Sequence, residues 1–201
     1  MDANSIVHLI DDDEDVRHAL AFLLATAGLA VRVYESAESF LEGSAGLQSG
    51  CIVSDVRMPG IDGLELQRRL IDMGIRLPVI IMTGHADVPL AVQAMKAGAV
   101  DFIEKPFDDT ILLASVRTAL GRQTELKERD AEAARVRAKV EALSPRERQV
   151  LEGLMVGHPN KTIAYDLQLS PRTVEVHRAN LMIKMGAGSL SDLVRMAMLA
   201  K

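Results

Sequence analysis

Five short runs rich in valine and isoleucine, each followed by a segment of different period, fill the first 120 residues and leave few ways to fold. They are Ile6–Ile10, Val31–Tyr34, Cys51–Ser54, Val79–Met82 and Val100–Ile103. Each is short and apolar, as a strand covered on both faces must be. The segments between them carry helical spacing. Asp15–Ala27 places Val16, Leu20, Leu23, Leu24 and Ala27 on one face, and Leu64–Met73 and Val88–Ala97 behave alike. Gly28, Gly74 and Gly98 stand where these helices should close. β/α repeats in this order predict an α/β fold with a doubly wound five-stranded parallel sheet, its right-handed crossovers placing helices on both faces.

The pattern then changes twice. Residues 107–140 hold no proline and read as a long helix. Its apolar face (Ile111, Leu112, Leu113, Val116, Leu120) gives way after Arg122 to charge and alanine, as an exposed helical linker would. At Ser144 a capping box begins, with Pro145 at the first helical position and Glu147 three residues on. From there four helices are expected and no strands: 145–156, 161–167, 171–185 and 190–199. Ser170-Pro171 repeats the cap at the third. The expected division is 1–121, a linker over 122–143, and an all-α four-helix domain over 144–201.

Charge follows the same division. Residues 1–121 hold 9 Lys and Arg against 18 Asp and Glu, whereas residues 144–201 hold 8 against 5. A basic segment joined to an acidic one points to a polyanion as partner of the second alone. No apolar run reaches the length of a membrane span, and no signal-peptide pattern opens the chain, so a cytoplasmic protein without membrane contact is expected. The single cysteine, Cys51, lies in an apolar run and reads as core.

In an open parallel sheet, chemistry gathers at the carboxyl ends of the strands. The first strand ends in Asp11, Asp12 and Asp13, the third in Asp55 and the fourth in Thr83, and Lys105-Pro106 follows the fifth. Converging carboxylates repel one another and call for a hard divalent cation, Mg²⁺ before a softer metal. A carboxylate can also attack phosphorus and form an acyl phosphate. The charge so added needs the cation, an ammonium and a hydroxyl around it. Asp11, Asp12, Asp55, Thr83 and Lys105 supply that set. An aspartate-based phosphohydrolase shares the nucleophile and the metal, but it wants a second acid two residues on, and position 57 is Arg. Arg57 and His85, two residues beyond Asp55 and Thr83, are expected to flank the solvent path to the phosphoryl group.

Residues 161–185 read as two helices joined by the turn Gln168-Leu169-Ser170. Val174, Leu181 and Met185 line one side of the second helix. Its other side offers Arg172, Thr173, Val176, His177, Asn180 and Lys184. A basic, amide-bearing face with an apolar back suits a helix laid in the major groove. A helical module for RNA or a protein partner remains the alternative, and salt-dependent binding of duplex DNA separates the two.

Two resemblances follow from these motifs. Leu9-Ile10-Asp11-Asp12-Asp13, Ser54-Asp55-Val56-Arg57-Met58-Pro59-Gly60, Met82-Thr83-Gly84 and Ile103-Glu104-Lys105-Pro106-Phe107 make residues 5–121 resemble the CheY-like receiver domains of response regulators. That resemblance implies Asp55 as phosphoacceptor, and Asp11, Asp12, Asp55 and the Arg57 carbonyl around Mg²⁺. It also implies Thr83 and Lys105 on the phosphoryl group, Phe102 as an aromatic switch, and a cis Lys105-Pro106 bond. Leu143–Leu151, Asn160–Ala164 and Leu169–Arg178 make residues 144–201 resemble the LuxR-type helix-turn-helix domains of the NarL/FixJ class. Lys161 and Arg178 then join the DNA-facing residues. The implied protein is a transcriptional activator rather than a turnover enzyme. A sensor histidine kinase would phosphorylate it, and it would form a homodimer on phosphorylation, bind double-stranded DNA and act on RNA polymerase. The stretches Thr83–Phe107 and Asn160–Lys184 look most like the nitrogen-fixation regulators of that class; the same architecture serving another signal stays open.

Overall fold

The computed structural model describes residues 5–85 and 88–200. The chain forms two compact units, which meet in sequence between Leu126 and Lys127. In the first, strands β1 (Ile6–Ile10), β2 (Ala30–Tyr34), β3 (Cys51–Asp55), β4 (Val79–Thr83) and β5 (Asp101–Glu104) pair in parallel in the order β2-β1-β3-β4-β5. Helices α1 (Glu14–Thr26), α2 (Ala37–Glu42), α3 (Gly63–Asp72) and α4 (Val88–Lys96) connect them, and α5 (Asp109–Glu141) follows. The five expected strands are all present. Helix α2 carried no sequence signal of its own, because six residues make too short a window for a helical period.

Alternation along the strands sorts the core into two layers. Ile10, Ile52 and Ile81 face one side with Phe40 of α2, Leu66 and Leu70 of α3, and Ala94 of α4. Leu9, Val53, Ile80 and Met82 face the other with Leu20 and Leu24 of α1, and Leu112 and Val116 of α5. Every residue of β3 and β4 is buried, which accounts for their unbroken apolar runs, whereas the edge strand β2 keeps exposed positions. Gln123 of α5 is also buried here. Its amide accepts from the Gly50 N–H at 2.8 Å and donates to the Gln48 carbonyl at 2.9 Å, holding the loop before β3.

The second unit contains α6 (Pro145–Met155), α7 (Asn160–Asp166), α8 (Pro171–Met185) and α9 (Leu190–Leu199), with the last turns of α5. Val136 and Leu143 are buried against Val150, Leu154, Ile163, Val174 and Leu181. The Lys139 ammonium donates to the Met185 carbonyl at 2.7 Å and so satisfies the C-terminus of α8. The stretch that composition marks as linker therefore ends inside a core.

One buried group in the first unit makes its stability depend on pH. His8, fully buried on β1, has Nδ1 2.9 Å from the Tyr34 hydroxyl and packs against the Tyr34 and Phe40 rings. Its Nε2 has no hydrogen-bond partner among the described residues. Burial, aided by the charge of Arg32, lowers its pKa from 6.5 to about 4. The unfolded chain therefore takes up this proton first, and stability falls as pH drops from about 6.5 to about 4. The loss is at most about 3 kcal/mol. Urea unfolding of the parent and of His8→Phe at pH 7 and pH 5 checks this: the substitution should flatten the pH dependence, and equal slopes would refute it.

Candidate functional site

The sheet order places β1 beside β3 with their connections leaving in opposite directions, and this opens a crevice at their carboxyl ends. Asp11 and Asp55 sit there, each less than a tenth exposed. The Lys105 ammonium, following β5, reaches both, donating to Asp11 Oδ2 at 2.6 Å and Asp55 Oδ1 at 2.6 Å. The remaining oxygens are fixed by backbone: Asp11 Oδ1 accepts from the Asp13 N–H at 3.0 Å and Asp55 Oδ2 from the Arg57 N–H at 2.6 Å. The Lys105-Pro106 bond is cis.

Burial raises the pKa of Asp11, against the pull of Lys105, and the charge of Asp55 pushes the same way as burial. For Lys105, burial works downward, but its hydrogen bonds to the two carboxylates prevail and its pKa is raised. The three groups thus form one charge-coupled cluster in which a cation already bridges two anions.

The other residues singled out take different places. Thr83 is fully buried at the end of β4, with its hydroxyl donating to the His85 carbonyl at 3.0 Å and accepting from the His85 N–H at 3.2 Å. It is adjacent in the sheet but engaged with its own loop. Phe102 is half-buried on β5 and packs on the core layer of α2, α3 and α4. Arg57 and His85 are exposed. Asp12 is exposed and makes no hydrogen bond or ion pair among the described residues. Asp13 belongs to the helix instead, capping α1 through the Asp15 and Val16 N–H groups. Among the described residues no three His, Cys, Asp or Glu side chains converge, so the crevice brings two carboxylates together, not three. Its donors are all oxygen, as a hard divalent cation requires. Two neighbours escaped the sequence: Arg17 Nη1 donates to the Asp11 carbonyl at 2.7 Å, and Glu38 of α2 accepts from the Ile61 N–H at 2.9 Å. Neither lies in a motif at the strand ends.

In the second unit, α7 and α8 are joined by a turn whose Gln168 adopts a left-handed φ of 55°. Val174, Leu181 and Met185 are buried. Arg172, Val176, Asn180 and Lys184 follow at four-residue steps and form one exposed stripe, with the half-buried Thr173, His177 and Arg178 among them. Lys161 is exposed on the first turn of α7, and Arg178 reaches the Asn160 side chain at 3.4 Å. Lys184 is less free than its position suggests: its ammonium donates to Glu147 Oε2 at 2.7 Å.

Residues 7–117 match the response regulator receiver domain family, and residues 141–197 match the luxR family of bacterial regulatory proteins. The chain is a two-component response regulator with a LuxR-type DNA-binding domain. As such it has a sensor kinase and DNA as partners. Over 96% of its length it is 59% identical to the transcriptional regulatory protein FixJ of Azorhizobium caulinodans, covering 92% of that protein. It is 44% identical to the response regulator protein TmoT of Ectopseudomonas mendocina, over 96% of this chain and 88% of that one. Among solved structures, the response regulator StyR superposes with a TM-score of 0.81 at 38% identity, over 98% of this chain and 99% of that one. Full-length FixJ from B. japonicum gives 0.61 at 52% identity, over 98% and 97%.

In this response regulator the capping box of α6 doubles as an anchor for α8. The Glu147 carboxylate accepts from the Ser144 N–H at 2.8 Å as well as from Lys184. Lys184 first, then the Ser144 N–H, hold its pKa down to about 2. A depressed carboxylate contributes stability that is complete above its unfolded pKa of 4.5 and disappears as pH falls toward about 2. Glu147→Ala should destabilise the second unit by about 1–2 kcal/mol at pH 7. Amide exchange of Val150 and Leu181 in the full chain reads this out; unchanged protection would show that the anchor contributes nothing.

Proposed function

We propose that Asp55 accepts a phosphoryl group from the kinase's phosphohistidine, and that this modification drives pairing of two receivers and activates DNA binding. The observation that carries the reading is the Lys105 ammonium, 2.6 Å from both Asp11 and Asp55 in a buried crevice. One Asp55 oxygen would form the bond to phosphorus as the phosphorus–nitrogen bond breaks, and the imidazole would leave and take up a proton. Asp11, Asp12, Asp55 and the Arg57 carbonyl would hold Mg²⁺, which when bound supplies charge neutralisation for the transferred group. Lys105 stays paired with the new oxyanions. The Thr83 hydroxyl would turn from its own loop toward them, and Phe102 would move inward with it. The protein would not turn over a substrate.

Pairing has a surface to use. Val88, Val92 and Met95 are exposed along α4, an apolar stripe beside β5. Two paired receivers raise the local concentration of the second DNA-binding domain and suit a two-fold DNA site. Lys161 and Arg178 would meet phosphates, and Arg172, Thr173, Val176, His177 and Asn180 would face base edges. Lys184, held by Glu147, would sit at the margin. RNA polymerase in the bacterial cytoplasm is the expected target of activation. Similarity to FixJ proteins supports control of nitrogen-fixation or microaerobic genes, and similarity to TmoT keeps another signal in view.

Sedimentation velocity with Mg²⁺, with and without beryllofluoride as phosphoryl mimic, tests the switch. The parent should pass from monomer to dimer and Asp55→Asn should not respond. An unchanged mass would reject phosphorylation-driven pairing, and an unchanged mass with altered shape would favour release of the DNA-binding domain within one chain. For the interface, Lys161→Ala should lower the slope of log K against log salt by about 1 on duplex DNA of any sequence. An unaltered slope would remove Lys161 from the phosphate contacts.

A further inference from the structure

The loop between β3 and α3 carries the carbonyl of Arg57, and it is held from outside the crevice as well as from within. Inside, the Arg57 N–H donates to Asp55 Oδ2 at 2.6 Å. At the base, the Val56 N–H donates to the Met82 carbonyl at 2.8 Å and the Gly63 N–H to the Val56 carbonyl at 3.0 Å. Val56 and Met58 bury their side chains in the core layer. The crest, Pro59-Gly60-Ile61, has a different support. Glu38 Oε1 accepts from the Ile61 N–H at 2.9 Å. The same oxygen lies against Gly60, so close that a Cβ there would collide with it, and Gly60 adopts φ +77°, open to glycine and strained for other residues.

Helix α2, which presents Glu38, is itself firmly placed. Ser36 and Ser39 close a capping box at its start, and Ala37 and Phe40 are fully buried. The strand before it touches the other half of the crevice, since the Asp11 N–H donates to the Tyr34 carbonyl at 3.3 Å. The segment from β2 through α2 therefore spans from the Asp11 turn to the Arg57 loop. Hydrogen bonds from the Glu38 and Ile61 N–H groups keep the Glu38 carboxyl below its ordinary pKa. Without Glu38, the Ile61 N–H has no other acceptor among the described residues, and Gly60 leaves the crest free to turn.

We propose that Glu38 is a positioning residue: by accepting the Ile61 N–H it fixes the crest of the β3–α3 loop, so that the Arg57 carbonyl is presented to a divalent cation held by Asp11 and Asp55. The proposal rests on the phosphoacceptor reading above. Glu38 touches neither the cation nor the phosphoryl group. Its contribution is to remove loop freedom before the cation arrives, as supporting groups around metal ligands do.

The test compares the full-length parent, Glu38→Ala and Glu38→Gln, the last of which keeps an oxygen acceptor and loses the charge. Two quantities are read: amide hydrogen exchange at Ile61 without metal, and the dissociation constant for Mg²⁺ by isothermal titration, with Asp55→Asn as reference for binding at the crevice. Glu38→Ala should speed exchange at Ile61 about tenfold or more while exchange in β3 and β4 stays at the parent rate. It should weaken Mg²⁺ about tenfold. Glu38→Gln should restore both. Parent-like Mg²⁺ affinity in Glu38→Ala would overturn the proposal, as would a Glu38→Gln variant as weak as Glu38→Ala, since charge and not the hydrogen bond would then be responsible. A parent that binds no Mg²⁺ through Asp55 would overturn the phosphoacceptor reading and this proposal with it.

Discussion

Two carboxylates buried at the end of a parallel sheet are stable only because a half-buried ammonium is paired with them. Asp11 and Asp55 each accept a hydrogen bond from Lys105 at 2.6 Å, and the three arrive from β1, β3 and the turn after β5. Much of the first unit's architecture serves that meeting. The strand order brings β1 and β3 together, the buried runs of β3 and β4 hold the sheet rigid, and the cis Lys105-Pro106 bond lies at the turn that delivers the lysine. Removing one member of such a cluster leaves a buried charge without its partner, which costs more than the pair itself contributes. A newly added anion can instead be met by groups already in place.

Polar atoms that serve function and polar atoms that serve folding stand side by side in both units. Asp13 caps α1 whereas Asp11, two residues earlier, is committed to the crevice. Ser170 caps α8 through the Thr173 N–H on the face proposed to meet DNA. Lys184 lies on the exposed stripe of α8 yet is bound to Glu147, and Lys139 of α5 satisfies the carbonyl of Met185. The orientation of α8 therefore depends on a cation from α5 and an anion from α6, in addition to its buried Val174, Leu181 and Met185.

Residue patterns were sufficient for some of this. The strand runs predicted all five strands, because burial on both faces demands Val and Ile whatever the partner helix. The cap signals at Ser144 and Ser170 placed the starts of α6 and α8, because a side chain that accepts from the N–H three residues on is a local device. Strand ends located Asp11, Asp55, Thr83 and Lys105 for the same reason: each stands at or just beyond the end of a strand run.

Tertiary structure decided what no local pattern contains. Whether Asp12 joins Asp11 depends on which way a turn rotates its side chain, and it stays exposed. Arg17 folds back onto the Asp11 carbonyl from the start of α1, and Glu38 reaches the β3–α3 loop from α2, 23 residues away; nothing at either position differs from an ordinary surface charge. The stretch from Gln123 to Leu143 has too few apolar residues to announce burial, yet Gln123, Val136 and Leu143 are buried because neighbouring elements cover them. Residue patterns by themselves determined the five strands, the longer helices and which strand ends hold charge. Only the packed chain decided which charges meet, since a hydrogen bond between distant residues is set by distances that sequence spacing does not encode.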